Sequence, residues 1–348
     1  MPSPARARGG PRPGPADGAR PGPCRICGSL GGHREFLARE MQFGTREEFA
    51  YFECAECGCL QIAEVPADLS RHYPSDYYSS RPLDERKYEG LRGALRVLPL
   101  EASLFPDTLL RRAIARAFPR RHFAALAGLG VGRSAKILDV GCGNGKSFLY
   151  PLRRMGFERV AGCDPFLPRD IRYGNGLTIE AKRISEIEGP SSWDVITFHH
   201  AFEHMPDPLE TLETANRLLR DGGLCLIRIP TVSSFAWEHY GVHWVQLDAP
   251  RHLFLHSVLS MRLLAAGAGF RLARTEYDSH SIQFWASEGY ARDVPLKDHP
   301  KGRGLARVAW MLRKFRLARE AGRLNRERRG DQAAFVLAKA APGEGGGA

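Results

Sequence analysis

The sequence predicts an α/β protein, a doubly wound parallel sheet preceded by a small cysteine-rich unit. Three observations point there. From about residue 131 onward short apolar runs alternate with amphipathic segments, the pattern of a parallel sheet covered on both faces. Residues 136–166, KILDVGCGNGKSFLYPLRRMGFERVAGCDPF, read in succession as strand, glycine-rich turn, helix and second strand. Two C-x-x-C-G knuckles lie between residues 24 and 58.

At 348 residues the chain has room for two domains, and 43% apolar with 26% charged residues is the balance of a folded globular protein. No apolar run approaches the roughly 20 residues that span a bilayer, so the reading gives no membrane partner. Residues 1–20, MPSPARARGGPRPGPADGAR, read as a disordered tail without the apolar stretch of a secretory signal, and residues 341–348 as a flexible tail. A cytoplasmic location follows as the default. The net charge of +11 gathers in the tail and in residues 301–329, which admits a nucleic-acid partner without requiring one. Oligomeric state is not legible.

Residues 21–65 form the first predicted unit. Cys24-Arg-Ile-Cys27-Gly and Cys54-Ala-Glu-Cys57-Gly are two tight turns, each aiming two thiolates at one point, and together they complete a four-thiolate zinc shell. Such a closed shell leaves no open coordination position, so the Zn²⁺ is expected to be structural. In so small a unit it would supply stability that a core cannot. Phe49–Glu53 reads as a strand into the second knuckle and Leu60–Ala63 as its return, with Cys59 a spectator. Residues 66–130 read as a helical linker or lid, with amphipathic helices between Leu91 and Leu129 and with Tyr77 and Tyr78 placed to close over a substrate.

The second domain, 131–340, is expected to run strand by strand. Ile137–Val140 is the first strand and Arg159–Asp164 the second. Thr178–Ala181 is the third, Trp193–Phe198 the fourth, Leu224–Pro230 the fifth and Phe270–Tyr277 the sixth. Apolar spacing predicts helices over Leu209–Arg220 and Ser257–Ala268. Residues 281–329 read as a basic helical insertion, and Gln332–Lys339 as a final strand.

The turn Gly141-Cys142-Gly143-Asn144-Gly145 permits positive φ and close approach of a ligand, and Asp164 closes the second strand where a ribose diol would sit. The turn is not G-x-G-x-x-G, and an acid, Asp139, precedes it. A carboxylate there repels a pyrophosphate but suits a cationic or zwitterionic ligand. These residues resemble the first two motifs of class I S-adenosylmethionine-dependent methyltransferases. The resemblance covers residues 130 to 340 and implies a seven-stranded sheet whose last strand is antiparallel. It further implies that Asp139, Gly141, Cys142, Gly143, Asn144, Gly145, Asp164 and Pro165 bind S-adenosylmethionine. Ile184 and Ser185 would border the adenine, and His199 and His200 would line the cofactor.

After the fourth strand comes His199-His-Ala-Phe-Glu203-His204-Met-Pro-Asp207-Pro. His200-Ala-Phe-Glu203-His204 matches H-x-x-E-H, but a strand end followed at once by two prolines cannot supply the helix a zinc protease needs. The segment resembles instead the Glu-His-x-x-Asp-Pro loop of ubiquinone-pathway and related small-molecule methyltransferases, in which Glu203 and His204 would border the acceptor. Residues 237–257 mix aromatics with four histidines. Their Trp…Pro-x-His-Leu…Ser pattern resembles methyltransferases that carry an N-terminal Cys₄ unit, sugar C-methyltransferases among them, and makes His252 the candidate general base.

The expected function is methyl transfer from S-adenosylmethionine to a small polar metabolite, a sugar or another biosynthetic intermediate. One alternative is an RNA or other nucleic-acid methyltransferase that uses the zinc ribbon and the basic insertion. A non-catalytic binding protein on the same fold is the other.

Overall fold

In the computed structural model, which describes residues 22–73, 83–300 and 302–340, successive residues of each central strand enter two different helical layers. The calls on residues 1–20, on Tyr77 and Tyr78 and on the tail 341–348 lie outside the described residues.

The first unit has three strands, β1 (Arg34–Arg39), β2 (Glu48–Glu53) and β3 (Leu60–Ile62), paired antiparallel in that order. After it come α1 (Gly90–Leu104), α2 (Leu109–Ala117) and α3 (Arg121–Leu126). The large sheet opens with β4 (Ile137–Val140), α4 (Leu149–Arg154), β5 (Val160–Cys163), a short β6 (Ile171–Arg172), β7 (Thr178–Glu180) and β8 (Trp193–His199). It continues through α5 (Pro208–Leu218), β9 (Leu219–Pro230), α6 (Phe235–Tyr240), β10 (Phe254–Leu255), α7 (Val258–Gly267) and β11 (Phe270–Tyr277). The insertion supplies α8 (Ile282–Tyr290) and α9 (Leu305–Arg326), and β12 (Gln332–Lys339) ends the fold.

The large sheet has eight strands in the order β11-β12-β9-β8-β4-β5-β7-β6. β4, β5, β7, β8 and β9 are mutually parallel, while β12 runs antiparallel to both β9 and β11. That is the predicted topology, with β6 an added two-residue edge strand that no periodicity announces. Leu138, Ile196, Cys225 and Phe335 face α5 and α7 through Leu212, Ala215, Met261 and Leu264. Ile137, Val195, Leu226 and Val336 face the opposite layer, built from Leu104, Phe123, Leu126 and Leu149. Burial on both faces is why these strands are apolar at most positions.

Two expectations change. The helix predicted to reach Arg220 stops at Leu218, because Leu219 turns extended and pairs with Trp193, entirely buried, so β9 starts five residues before the predicted strand. Residues 83–130, read as part of a linker or lid, contribute Tyr88, Leu104, Phe123 and Leu126 to the core against the sheet, so the boundary at 130 does not divide the packing.

The small unit is also not self-contained. β10, from the loop after α6, pairs antiparallel with β3 and completes a four-stranded sheet, β1-β2-β3-β10. One core runs from Cys24 and Tyr51 to Trp244, Leu253 and Tyr290. At its centre the fully buried Arg251 bonds Asp248 through Nε (3.0 Å) and Nη2 (2.5 Å), Glu40 after β1 (3.1 Å) and the His72 carbonyl (3.1 Å). Removing one partner from a buried ionic network leaves the others unpaired. Arg251→Met should therefore lower stability by about 3–5 kcal/mol in urea unfolding, and a loss below about 1 kcal/mol would show that the network does not hold the two units together.

Candidate functional site

The glycine-rich turn follows β4 at the point where the sheet order reverses, with β5 on one side and β8 on the other. Gly141 has φ +68°, and a Cβ there would lie 2.5 Å from the Cβ of Ala201; Gly145 has φ +69°, and its Cβ would meet Ile179 at 2.5 Å. No side chain fits at either position, so only glycine lets the turn close against Ala201 and Ile179. Asp164 holds the turn shut from the neighbouring strand: one carboxylate oxygen accepts from the Gly143 N–H (2.8 Å) and the other from the Phe166 N–H (2.9 Å). Each oxygen keeps a lone pair for a diol. Asn144 is buried in the turn, and its carbonyl accepts from Tyr173 (2.6 Å). Pro165 is exposed beside Asp164.

Asp139, 3% exposed at the end of β4, accepts from Thr197 Oγ1 (2.7 Å). Burial pushes its carboxyl up to about 7 against that hydrogen bond, and the Asp164 charge adds to the rise. Cys142 is half-buried in the turn, its thiol bonding the Gly143 carbonyl (3.4 Å). Ile184 is packed in the core with Trp193 and Leu212, whereas Ser185 on the same turn is exposed.

At the end of β8 the two histidines separate. His199 lies against Phe148 (4.5 Å between centroids) and His122 (4.9 Å), and burial pulls it well below the usual imidazole range. Neither of its ring nitrogens has a partner among the described residues. His200, at φ +53°, turns the other way, towards a network the sequence did not announce. Its Nε2 accepts from the Arg228 guanidinium (2.7 Å), and Arg228, 3% exposed, is held by Asp278 and by Gln332 (2.9 Å). Arg228 and Gln332 stand on β9 and β12 and Asp278 just beyond the end of β11, a juxtaposition that only the sheet order creates.

Glu203, His204 and His252 come together. Glu203 is fully buried, and neither carboxylate oxygen has a hydrogen-bond donor among the described residues. Oε1 lies 3.5 Å from His200 Nδ1 and 3.8 Å from His252 Nε2. Burial alone would raise this acid, yet His200, His204 and His252 around it outweigh that and hold it down to about 2. His252 donates from Nδ1 to the Gln246 carbonyl (2.7 Å), which fixes the neutral tautomer with its lone pair on Nε2, 3.7 Å from Asp248 Oδ2. His204 likewise donates from Nδ1 to the Arg251 carbonyl (2.7 Å), within 3.2 Å of the Tyr73 hydroxyl, and its ring crosses that of His252 at 4.8 Å. His252 Nε2 thus stands between two carboxylates, those of Glu203 and Asp248.

The other histidines of the 237–257 segment do not join. His239 stacks on Phe235 (5.0 Å), His243 is exposed, and His256 is fully buried beside Ser260 Oγ (3.3 Å), where burial takes it down to about 4. Trp244 is a structural member of the pattern, fully buried and donating to Asp331 (3.0 Å).

The four predicted metal ligands also converge. Cys24 and Cys57 sulfurs are 3.6 Å apart, as are those of Cys27 and Cys54, and all four lie within 4.8 Å of one another. Four thiolates about 2.3 Å from a zinc ion stand roughly 3.8 Å apart, so the donors fit Zn²⁺ with little movement. Gly28 and Gly58 close the knuckles by donating to the Cys24 and Cys54 carbonyls (2.8 and 3.0 Å). Gln61 donates to Cys24 Sγ (3.2 Å), a contact that orients a thiolate ligand. Cys59, fully buried, lies outside the set.

Residues 107–275 match the family model described as a methyltransferase domain. The chain carries a methyltransferase domain of the class I fold. It is 32% identical over 126 residues to a ubiquinone biosynthesis O-methyltransferase from Ruegeria sp. (strain TM1040), covering 33% of this chain and 50% of that protein. A second, from Xanthomonas campestris pv. campestris (strain B100), is 27% identical over 129 residues, covering 34% and 53%. The chain thus spans about half the length of these curated relatives. Among solved structures, a putative methyltransferase of Haloferax volcanii in complex with the Trm112 methyltransferase activator is similar at TM-score 0.42 and 18% identity, over 70% of this chain and 98% of that one.

The thiolate geometry predicts one equivalent of zinc per purified chain by elemental analysis. A Cys24→Ser, Cys57→Ser double variant should lose the metal and melt several degrees lower. A metal-free wild-type chain with an unchanged melting temperature on chelator treatment would refute the assignment.

Proposed function

We propose that this chain transfers a methyl group from S-adenosylmethionine to a nucleophilic atom of a small polar acceptor such as a sugar or another biosynthetic intermediate. The observation that carries the proposal is the placement of the Gly141–Gly145 turn, clamped by Asp164, beside the Glu203–His204–His252 cluster at one switch point of the sheet.

The turn fits the cofactor because its glycines, at φ +68° and +69°, hold a backbone path that side chains do not adopt, and Asp164 keeps free acceptor positions beside it. Asp139, Gly141, Cys142, Gly143, Asn144 and Gly145 would hold the amino acid end, Asp164 and Pro165 the ribose, Ile184 and Ser185 the adenine. His199, with both nitrogens unpartnered among the described residues, and His200 would line the remaining wall. When bound, the sulfonium supplies an electrophilic methyl for in-line displacement, so the protein's task is alignment and, for an acceptor that carries a proton, its removal. We assign that removal to His252 Nε2. Glu203 stabilises the imidazolium, and His204 borders the acceptor beside Tyr73. The ubiquinone-pathway enzymes similar to this chain are named O-methyltransferases, which supports a hydroxyl as the methylated group.

Calorimetry should find S-adenosylmethionine binding to the wild-type chain, weakened about tenfold or more by Asp164→Ala, which removes the ribose acceptor and releases the Gly143 amide. Absence of wild-type binding would overturn the proposal. A cationic ligand favours ionised Asp139, whose carboxyl titrates near 7 in the free protein. Affinity should accordingly fall as pH drops below 7, by up to about tenfold per pH unit, and Asp139→Asn should flatten the profile. In a screen of polar acceptors His252→Gln should lower turnover by about a hundredfold or more with cofactor affinity unchanged, and full turnover by that variant would remove His252 as the base.

A further inference from the structure

Independently of methyl transfer, α9 carries two apolar faces, and the described residues pack against only one. Trp310, Leu317, Ala321 and Leu324 recur at helical spacing and turn inward; Ala321 and Leu324 are fully buried against Phe284, and Trp310 crosses Trp285 at 5.4 Å. On the opposite side Val308, Met311, Leu312 and Phe315, spaced i, i+3, i+4 and i+7, are 54%, 62%, 59% and 63% exposed, and Leu305 one turn earlier is 89% exposed. Isolated exposed apolar side chains need no explanation, but a continuous stripe directed straight away from the core does.

What flanks the stripe selects its partner. Arg307 and Lys314 border it on one side and Arg316 on the other, with Arg319 beyond its end, all exposed. None is in an ion pair among the described residues, and residues 302–319 contain no acid at all. Arg313, on the inward side, is the exception in being paired, to Glu288. Two copies of this face would bring like charges together around the apolar contact. A nucleic acid would suit the cations but would set its phosphates against the apolar pole. An anionic bilayer surface satisfies both parts, since acyl chains take the apolar side chains while headgroup phosphates meet the flanking cations.

We infer that α9 docks this protein, lying in the interfacial plane, on membranes rich in anionic lipid. No helix among the described residues is long and apolar enough to cross a membrane, and surface docking requires none.

The full chain should cosediment with vesicles of equal parts phosphatidylglycerol and phosphatidylcholine, much less with pure phosphatidylcholine, and less as salt is raised. A Met311→Glu, Phe315→Glu double variant should lose about tenfold or more of that binding, and Arg307→Gln with Lys314→Gln should lose the preference for anionic vesicles. Unchanged melting temperatures would establish that the variants fold, as outward-facing positions allow. The inference is overturned if the wild-type chain ignores anionic vesicles or if the apolar variant binds them equally. It is overturned too if the variant instead dissociates a lipid-free dimer or abolishes binding to bulk RNA.

Discussion

The buried guanidinium of Arg251 is the contact on which the site depends. It joins three segments far apart in sequence: Glu40 in the cysteine-rich unit, His72 after it, and Asp248 in the methyltransferase domain. A charge so deeply buried is tolerable only with every partner present, because desolvation costs several kcal/mol and is offset by contacts of good geometry. Glu40 is fitted for this role. Burial would raise its carboxyl, but the Phe43 and Thr45 amides and Arg251 itself hold it below the usual carboxylate range. The residue next in sequence to Arg251 is His252, so the network that joins the two units also sets the candidate base.

Other contacts repeat this arrangement. Tyr51 of β2 donates to the His252 carbonyl (2.8 Å), Ser257 Oγ donates to the Cys57 carbonyl, and β10 borrows β3 for its pairing. The Cys₄ knuckles therefore do more than stabilise a small appendage. Through β3 they support the backbone from 252 to 257, opposite Glu203, whose own carbonyl accepts from the Leu253 amide (2.8 Å). A metal held by the knuckles would thereby act on the orientation of the imidazole assigned to the chemistry.

Much of this was legible in the sequence for definite reasons. Strands buried on both faces write themselves as unbroken apolar runs, glycines are forced wherever positive φ meets close packing, and C-x-x-C-G spacing is dictated by a tetrahedral ion. Asp164 was singled out by its place at a strand end and its spacing from Gly145, and Glu203, His204 and His252 because a resemblance pointed to each of them. What the sequence concealed is long-range pairing. Nothing near Phe254 and Leu255 marks them as the fourth strand of a sheet made 200 residues earlier, and Arg228, Asp278 and Gln332 become neighbours only because β12 inserts between β9 and β11. Four histidines in one segment looked alike by composition; a resemblance singled out His252, and tertiary packing sets His239, His243 and His256 apart from it.

The central claim is that the cysteine-rich unit holds the loop bearing His252 while the glycine-rich turn proposed for the cofactor stands on the large sheet. Amide hydrogen exchange on the wild-type chain, before and after removal of the metal by chelator, tests it most directly. The account predicts that protection is lost over β3 and residues 248–257 while β4, β5 and β8 keep theirs and S-adenosylmethionine binds as before. Unchanged protection across residues 248–257, or its loss throughout the large sheet, would contradict it.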